Sequence, residues 1–134
     1  MGFEDWFRLS AHAVITDPKG RVLQLKATYG EKAWCLPGGA LDPAETVHEA
    51  LSRECAEELG CEIRIVYLSG VYSHTKIQSH AFIFRCELNK GSEIKLSAEH
   101  SEYRYFSTDE LGAVQQRRVL ECIGYQGQVR SARF

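Results

Sequence analysis

Residues 39–61 read GALDPAETVHEALSRECAEELGC. Apolar side chains recur at Val47, Ala50, Leu51, Cys55 and Leu59, the spacing of an amphipathic helix. Asp42 stands as an N-cap, Pro43 as the first helical residue and Glu45 at capping-box distance, so the helix is expected over residues 43–59. Gly60 closes it as the residue after the C-cap. On a wheel of about 100° per residue, Val47, Leu51 and Cys55 share one arc, and Ala50 widens it. Glu54 and Glu58 fall inside that arc and Glu57 lies at its edge, while Glu49, Ser52 and Ala56 form the solvent side.

That placement is costly. Like charges at i, i+4 repel by ~0.2–0.5 kcal/mol when exposed. Carboxylates that also lose water cost more. A divalent cation is the simplest group to offset the repulsion, and Mg²⁺ prefers carboxylate oxygens. Arg53 points to a different side of the wheel. The glycines of Pro37-Gly38-Gly39, read as a tight turn before the helix, let backbone approach a ligand, and the Gly38 carbonyl is a candidate metal ligand.

Outward from the helix, residues 7–16 alternate as a strand, with Leu9, Ala11, Ala13 and Ile15 on one face. Asp17-Pro18-Lys19-Gly20 is a turn, and residues 21–26 return as the second arm of a hairpin. Residues 33–36 form a short strand into Pro37. Segments 61–69, 79–88 and 102–106 read as further strands, with a loop over 73–78. Thr108-Asp109-Glu110-Leu111 opens a small helix, and a second covers 117–123. One long helix, several strands and a later helix imply an α+β layer fold, or α/β/α if that helix covers the opposite face.

The chain has 134 residues, a length that fits one domain over residues 1–134. No apolar run reaches the ~18 residues a membrane span needs, and Glu4 and Asp5 stand where an export signal carries lysines. Lys and Arg number 16 against 18 Asp and Glu, for a net charge of −2. Binding nucleic acid along its backbone calls for a basic excess, which is absent overall; Arg117-Arg118, Arg130 and Arg133 are the local exceptions. The five cysteines form no C-x-x-C pair, so buried free thiols in a cytoplasmic protein are expected.

Gly39, Glu45, Arg53, Glu54, Glu57, Glu58 and Gly60 stand at the spacing G-x5-E-x7-R-E-U-x-E-E-x-G-U, where U is a bulky apolar residue. The chain thus resembles the Nudix hydrolases. Cys55 and Cys61 occupy the two U positions and are smaller than usual there. Trp34-Cys35-Leu36-Pro37-Gly38 and the segment from Tyr105 to Leu111 look like family context as well. The resemblance implies an α/β/α sandwich around a mixed sheet. It also implies hydrolysis of a diphosphate in a nucleoside diphosphate derivative or nucleoside triphosphate, with Mg²⁺ or Mn²⁺.

By matching position, Glu54, Glu57 and Glu58 are metal ligands, with Glu54 also orienting or deprotonating the water. Arg53 holds a carboxylate, and Glu45 braces the junction of loop and helix, alongside the structural glycines Gly39 and Gly60. Family members add an acid from a loop before the last strand; Glu99 is the first choice for it and Glu102 the reserve. Lys26 is a candidate for a substrate phosphate. Trp34 and Tyr29 are candidates for stacking on a base, though an apolar strand more often makes a tryptophan core. Tyr72, His74 and His80 flank the 73–78 loop, where a solvated role outweighs substrate contact. A small nucleotide is the expected partner, with no membrane, nucleic acid disfavoured and a homodimer left open. The alternatives are an RNA 5′-end pyrophosphohydrolase, supported only by Arg117, Arg118 and Arg130, and a non-catalytic nucleotide sensor of the same fold.

Overall fold

The computed structural model describes residues 2–134 and builds them from eight strands and two α-helices. In chain order these are β1 (Arg8–Val14), β2 (Val22–Ala27), β3 (Trp34–Cys35), β4 (Gly38–Ala40), α1 (Val47–Leu59), β5 (Ile63–His74), β6 (Ser79–Leu88), β7 (His100–Phe106), α2 (Ala113–Ile123) and β8 (Arg130–Arg133). A five-stranded sheet has the order β4-β1-β6-β5-β8, and a three-stranded sheet the order β3-β2-β7. The larger sheet is mixed: β1 runs parallel to β6 and β5 parallel to β8, while the β1–β4 and β5–β6 pairs are antiparallel.

Strand side chains alternate between faces, and here both faces are covered. Ala13, Leu23 and Phe84 enter one core with Leu51, Cys55 and Leu59 of α1. Their chain neighbours Val14, Val22 and Ile83 enter a second core with Val119 and Cys122 of α2. The two helices therefore clamp the mixed sheet from opposite sides, which is the α/β/α arrangement expected. Cys55, Cys86 and Cys122 are buried free thiols, and burial pushes all three above the usual thiol range. No helix among the described residues is long and apolar enough to cross a membrane.

Several boundaries differ from the sequence expectation. The helix begins at Val47, not at residue 43, and its N-cap is Thr46 rather than Asp42. The Thr46 hydroxyl accepts from the Glu49 amide at 3.1 Å, and the Glu49 carboxylate accepts from the Thr46 amide at 2.9 Å. Asp42 and Glu45 make only a turn, with the Asp42 amide donating to Glu45 Oε1 at 2.7 Å. Ala44 at φ 70° cannot continue a right-handed helix. Two capping-box spacings thus compete, and Glu45 is claimed by another partner described below. At the other end Gly60 takes φ 65°, as the C-terminal signal required.

The hairpin expectation also changes. The Asp17 turn forms, with the Asp17 amide donating to the Arg21 carbonyl at 2.9 Å and an isolated bridge at Thr16–Val22. Beyond it the two arms part into different sheets, because turn chemistry specifies only the nearest pairs. Pro37-Gly38-Gly39 is not a bare turn: β4 pairs with β1, Gly38 opposite His12. The expected 73–78 loop is shorter, since β5 runs through His74 and a 3₁₀ turn (Thr75–Ile77) leads straight into β6. The helix expected over 117–123 starts earlier, at Ala113. The edge strand β8 was not foreseen.

Thr46→Ala is expected to lower folding stability by about 1 kcal/mol, whereas Asp42→Ala changes it by less than about 0.5 kcal/mol. Urea denaturation of the two variants checks where the helix starts.

Candidate functional site

The acids sit where α1 passes β4. Glu58 is 5% exposed and its Oε1 accepts the Gly38 amide at 2.8 Å. Its Oε2 lies 3.7 Å from Nε2 of His100, which opens β7. Glu54, one turn earlier, packs its carboxylate against Gly39: a β-carbon there would stand 2.7 Å from Glu54 Cδ. Glycine there leaves room for the half-buried Glu54 carboxylate, which a β-carbon would push aside. Glu57 is exposed.

Arg53 organises the cluster, against the wheel expectation that it points elsewhere. The wheel locates a Cα, whereas the long side chain bends back along the helix. Its Nε and Nη2 donate to the two Glu45 oxygens at 2.6 and 2.9 Å, a fork-to-fork pair. Its Nη1 donates to Glu54 at 3.0 Å and to Glu57 at 3.4 Å, and Nη2 also reaches the Ala40 carbonyl at 3.2 Å. Arg53 holds Glu45 down to about 2, helped by the Asp42 amide. The second acid of the failed first capping box is thus the anchor for this guanidinium.

Electrostatics separate the acids. Burial raises Glu58 to about 8 against the opposing Gly38 bond, and the charges of Glu54, Glu99 and Glu57 add to the rise. Burial also raises Glu54, with Arg53 opposing. Burial lowers His100, so it is neutral at pH 7 and forms no true ion pair with Glu58. The cluster is short of positive charge despite Arg53. Its donors are carboxylate oxygens, the chemistry that hard divalent cations select. Among the described residues, no three His, Cys, Asp or Glu side chains already stand together as a metal cage. Arg53 spaces Glu54 and Glu57 instead.

The other candidates are placed as follows. Glu99 is exposed on the loop before β7, and its carbonyl accepts the Thr28 amide at 2.9 Å, which pins that loop to the end of β2. Its charge reaches both Glu54 and Glu58. Glu102 lies opposite Lys26 on the β2–β7 ladder and pairs with Arg104 at 3.7 Å. Lys26 is half-buried beside Trp34 on β3. Tyr29 is 61% exposed, near the acids.

Trp34 meets Phe106 edge to face at 4.9 Å, and the Arg104 guanidinium lies 4.9 Å from each ring. Both rings line an open cleft of about 480 Å³ bounded on one side by the first turn of α2. Gln24 lines it too and is 5% exposed. Sequence reading missed Gln24 and His100, because neither belongs to a motif and only tertiary neighbours mark them. Tyr72 is fully buried and donates to Glu121 at 2.7 Å, so it serves the core.

A family model described as NUDIX domain matches residues 6–121. A MutT-like protein of Streptomyces ambofaciens is 32% identical over 103 residues, which is 77% of this chain and 66% of that protein. An RNA pyrophosphohydrolase of Actinobacillus succinogenes is 34% identical over 76 residues, 54% of this chain and 38% of that one. The matched stretch therefore spans only part of each curated relative. The structure of an ADP-ribose pyrophosphatase from Streptococcus suis superposes with a TM-score of 0.79 at 20% identity, covering 93% of this chain and 98% of that one. That likeness bears on the fold.

The buried acid makes stability depend on pH. Below an ordinary carboxyl value near 4.5, Glu58 is protonated in both folded and unfolded chains. Between there and about 8 the unfolded chain sheds the proton while the folded chain keeps it, so stability falls as pH rises. With chelator present, Glu58→Gln should lose less stability between pH 5 and pH 9 than the parent. Equal slopes in urea denaturation would mean that Glu58 is not desolvated.

Proposed function

The chain belongs to the Nudix family, and from that membership we propose that it is a divalent-metal-dependent hydrolase of a diphosphate bond in a nucleoside diphosphate derivative or nucleoside triphosphate. The observation that carries this reading is the pair of desolvated carboxylates, Glu54 and Glu58, on the apolar face of α1 beside Glu57. A folded chain retains such repulsion where a cation and an anionic ligand relieve it.

Glu54, Glu57 and Glu58 would hold Mg²⁺ or Mn²⁺, with the Gly38 carbonyl as a further oxygen donor. Such an ion polarises phosphoryl oxygens and lowers the pKa of bound water. The chain's own groups do the rest. Arg53 keeps the Glu54 carboxylate oriented through its anchor on Glu45. Glu54 orients the attacking water or takes its proton, and Glu99 brings a further carboxylate from its loop. Lys26, half-buried on β2, would meet a phosphate. Trp34, at the wall of the aromatic cleft, offers a face to a base, with the Gln24 amide as a hydrogen-bonding group beside it.

A small nucleotide is favoured over RNA. Arg117 and Arg130 share Glu121 at 3.6 and 3.4 Å, and Arg118 is turned inward, so none of the three forms an open track for a phosphate backbone. The sensor alternative leaves the desolvated acids without a use.

Release of phosphate from a panel of nucleotide derivatives, with Mg²⁺ and with chelator, tests the proposal. Glu57→Gln and Glu58→Gln should each lower turnover by about 100-fold or more while the fold persists. Millimolar Mg²⁺ should raise the parent's melting temperature. Near-normal turnover in either variant would remove the metal assignment, and binding without turnover of any nucleotide would favour the sensor.

A further inference from the structure

A second cluster of ionisable groups lies on the α2 side of the sheet, and the acid site does not account for it. Arg118 is 9% exposed. Its Nε and Nη2 donate to Gln115 Oε1 at 3.1 and 2.5 Å, and its Nη1 donates to His74 Nε2 at 3.2 Å. Among the described residues no carboxylate bonds it, and burial pulls it down to about 10. By contrast Arg53, the other partly buried arginine of a helix, contacts four acids. A guanidinium has five N–H donors. The contacts of Arg118 engage one on each nitrogen, which leaves a donor on both Nη1 and Nη2.

The surroundings are polar and reach the surface. Burial disfavours the charged form of His12, the nearby Arg118 and His74 add to that, and its Nε2 meets the Ser10 hydroxyl at 2.8 Å. Ser10, His12, His74 and Gln115 are all half-buried, and the Phe134 ring lies 5.5 Å from that of His74. β1, β5 and α2 each contribute to it. His12 is also in register with Gly38, whose amide holds Glu58. His12 is the member of the cluster on the strand next to β4, while Arg118 and His74 lie by β5, and the cluster has the opposite sign to the acids.

A buried cation without a counter-charge is strongly disfavoured, and neutral partners compensate only in part. We propose that Arg118, His74, His12 and Ser10 form an anion subsite that takes a phosphoryl group, with the two remaining Arg118 donors aimed at its oxygens. The bidentate fork suits phosphate oxygens, and imidazole and hydroxyl donors complete a polar wall. This proposal rests on the hydrolase reading only for the source of the anion, which is either a phosphate of the nucleotide substrate or free inorganic phosphate.

Calorimetric titration in chelator tests it, with inorganic phosphate in one arm and a methylene-bridged nucleoside triphosphate analogue in the other. The parent should bind at least one probe. Arg118→Gln should weaken that binding by about 10-fold or more, a loss typical of a charge-assisted pair. Arg64→Gln, at an exposed arginine paired with Glu87, should leave it unchanged. Binding of inorganic phosphate assigns the subsite to the free anion; binding of the analogue alone assigns it to a substrate phosphate. Undiminished affinity in Arg118→Gln, or no binding of either probe by the parent, overturns the proposal. Should Arg118→Gln fail to fold, His74→Gln and Ser10→Ala decide, since unchanged affinity in both is equally fatal. Hydrolysis that survives in the panel while this subsite fails leaves the hydrolase reading standing, and the reverse outcome separates them equally.

Discussion

The bond between Arg53 and Glu45 is the constraint on which the rest of the site depends. Glu45 sits outside α1 and Arg53 inside it, so their fork-to-fork contact fixes the angle at which the chain enters the helix. From that anchor the same guanidinium reaches Glu54, Glu57 and the Ala40 carbonyl, which joins helix, entry loop and β4. An exposed ion pair contributes little, roughly 0–1 kcal/mol. Its importance here is geometric: it restrains carboxylates that would otherwise move apart.

The sheet supplies the second half of the arrangement. With both faces covered by helices, β1 and β4 carry backbone groups to the edge where α1 presents its acids. Gly38 donates to Glu58 from β4, and Gly39 leaves space for Glu54. Two adjacent glycines thereby bring two carboxyl groups close to one strand, and a side chain at position 39 would displace the Glu54 one.

The two inward-facing arginines make a useful contrast. Arg53 has more acids than it can neutralise, and Arg118 has none. Arg53 reaches β4 through the Ala40 carbonyl on the α1 side, whereas Arg118 meets His74 of β5 on the α2 side.

How much of this the amino-acid sequence determines differs by element. The helix face, its end at Gly60 and the crowding of Glu54, Glu57 and Glu58 follow from local periodicity, because residues three and four apart must be neighbours on a helix. The choice of Thr46 over Asp42 as cap was not legible there, since both carry the same spacing and only the demand of Arg53 for Glu45 separates them. The turn at Asp17 was local too, but the parting of β1 and β2 into separate sheets depends on partners some 70 and 80 residues away. His100 beside Glu58, Gln24 in the aromatic cleft and Arg118 against His74 were invisible for the same reason. The sequence alone determined which residue types recur on one helix face. Only the tertiary structure decided which distant groups met them, because desolvation and hydrogen bonding act through space between segments that have no fixed spacing along the chain.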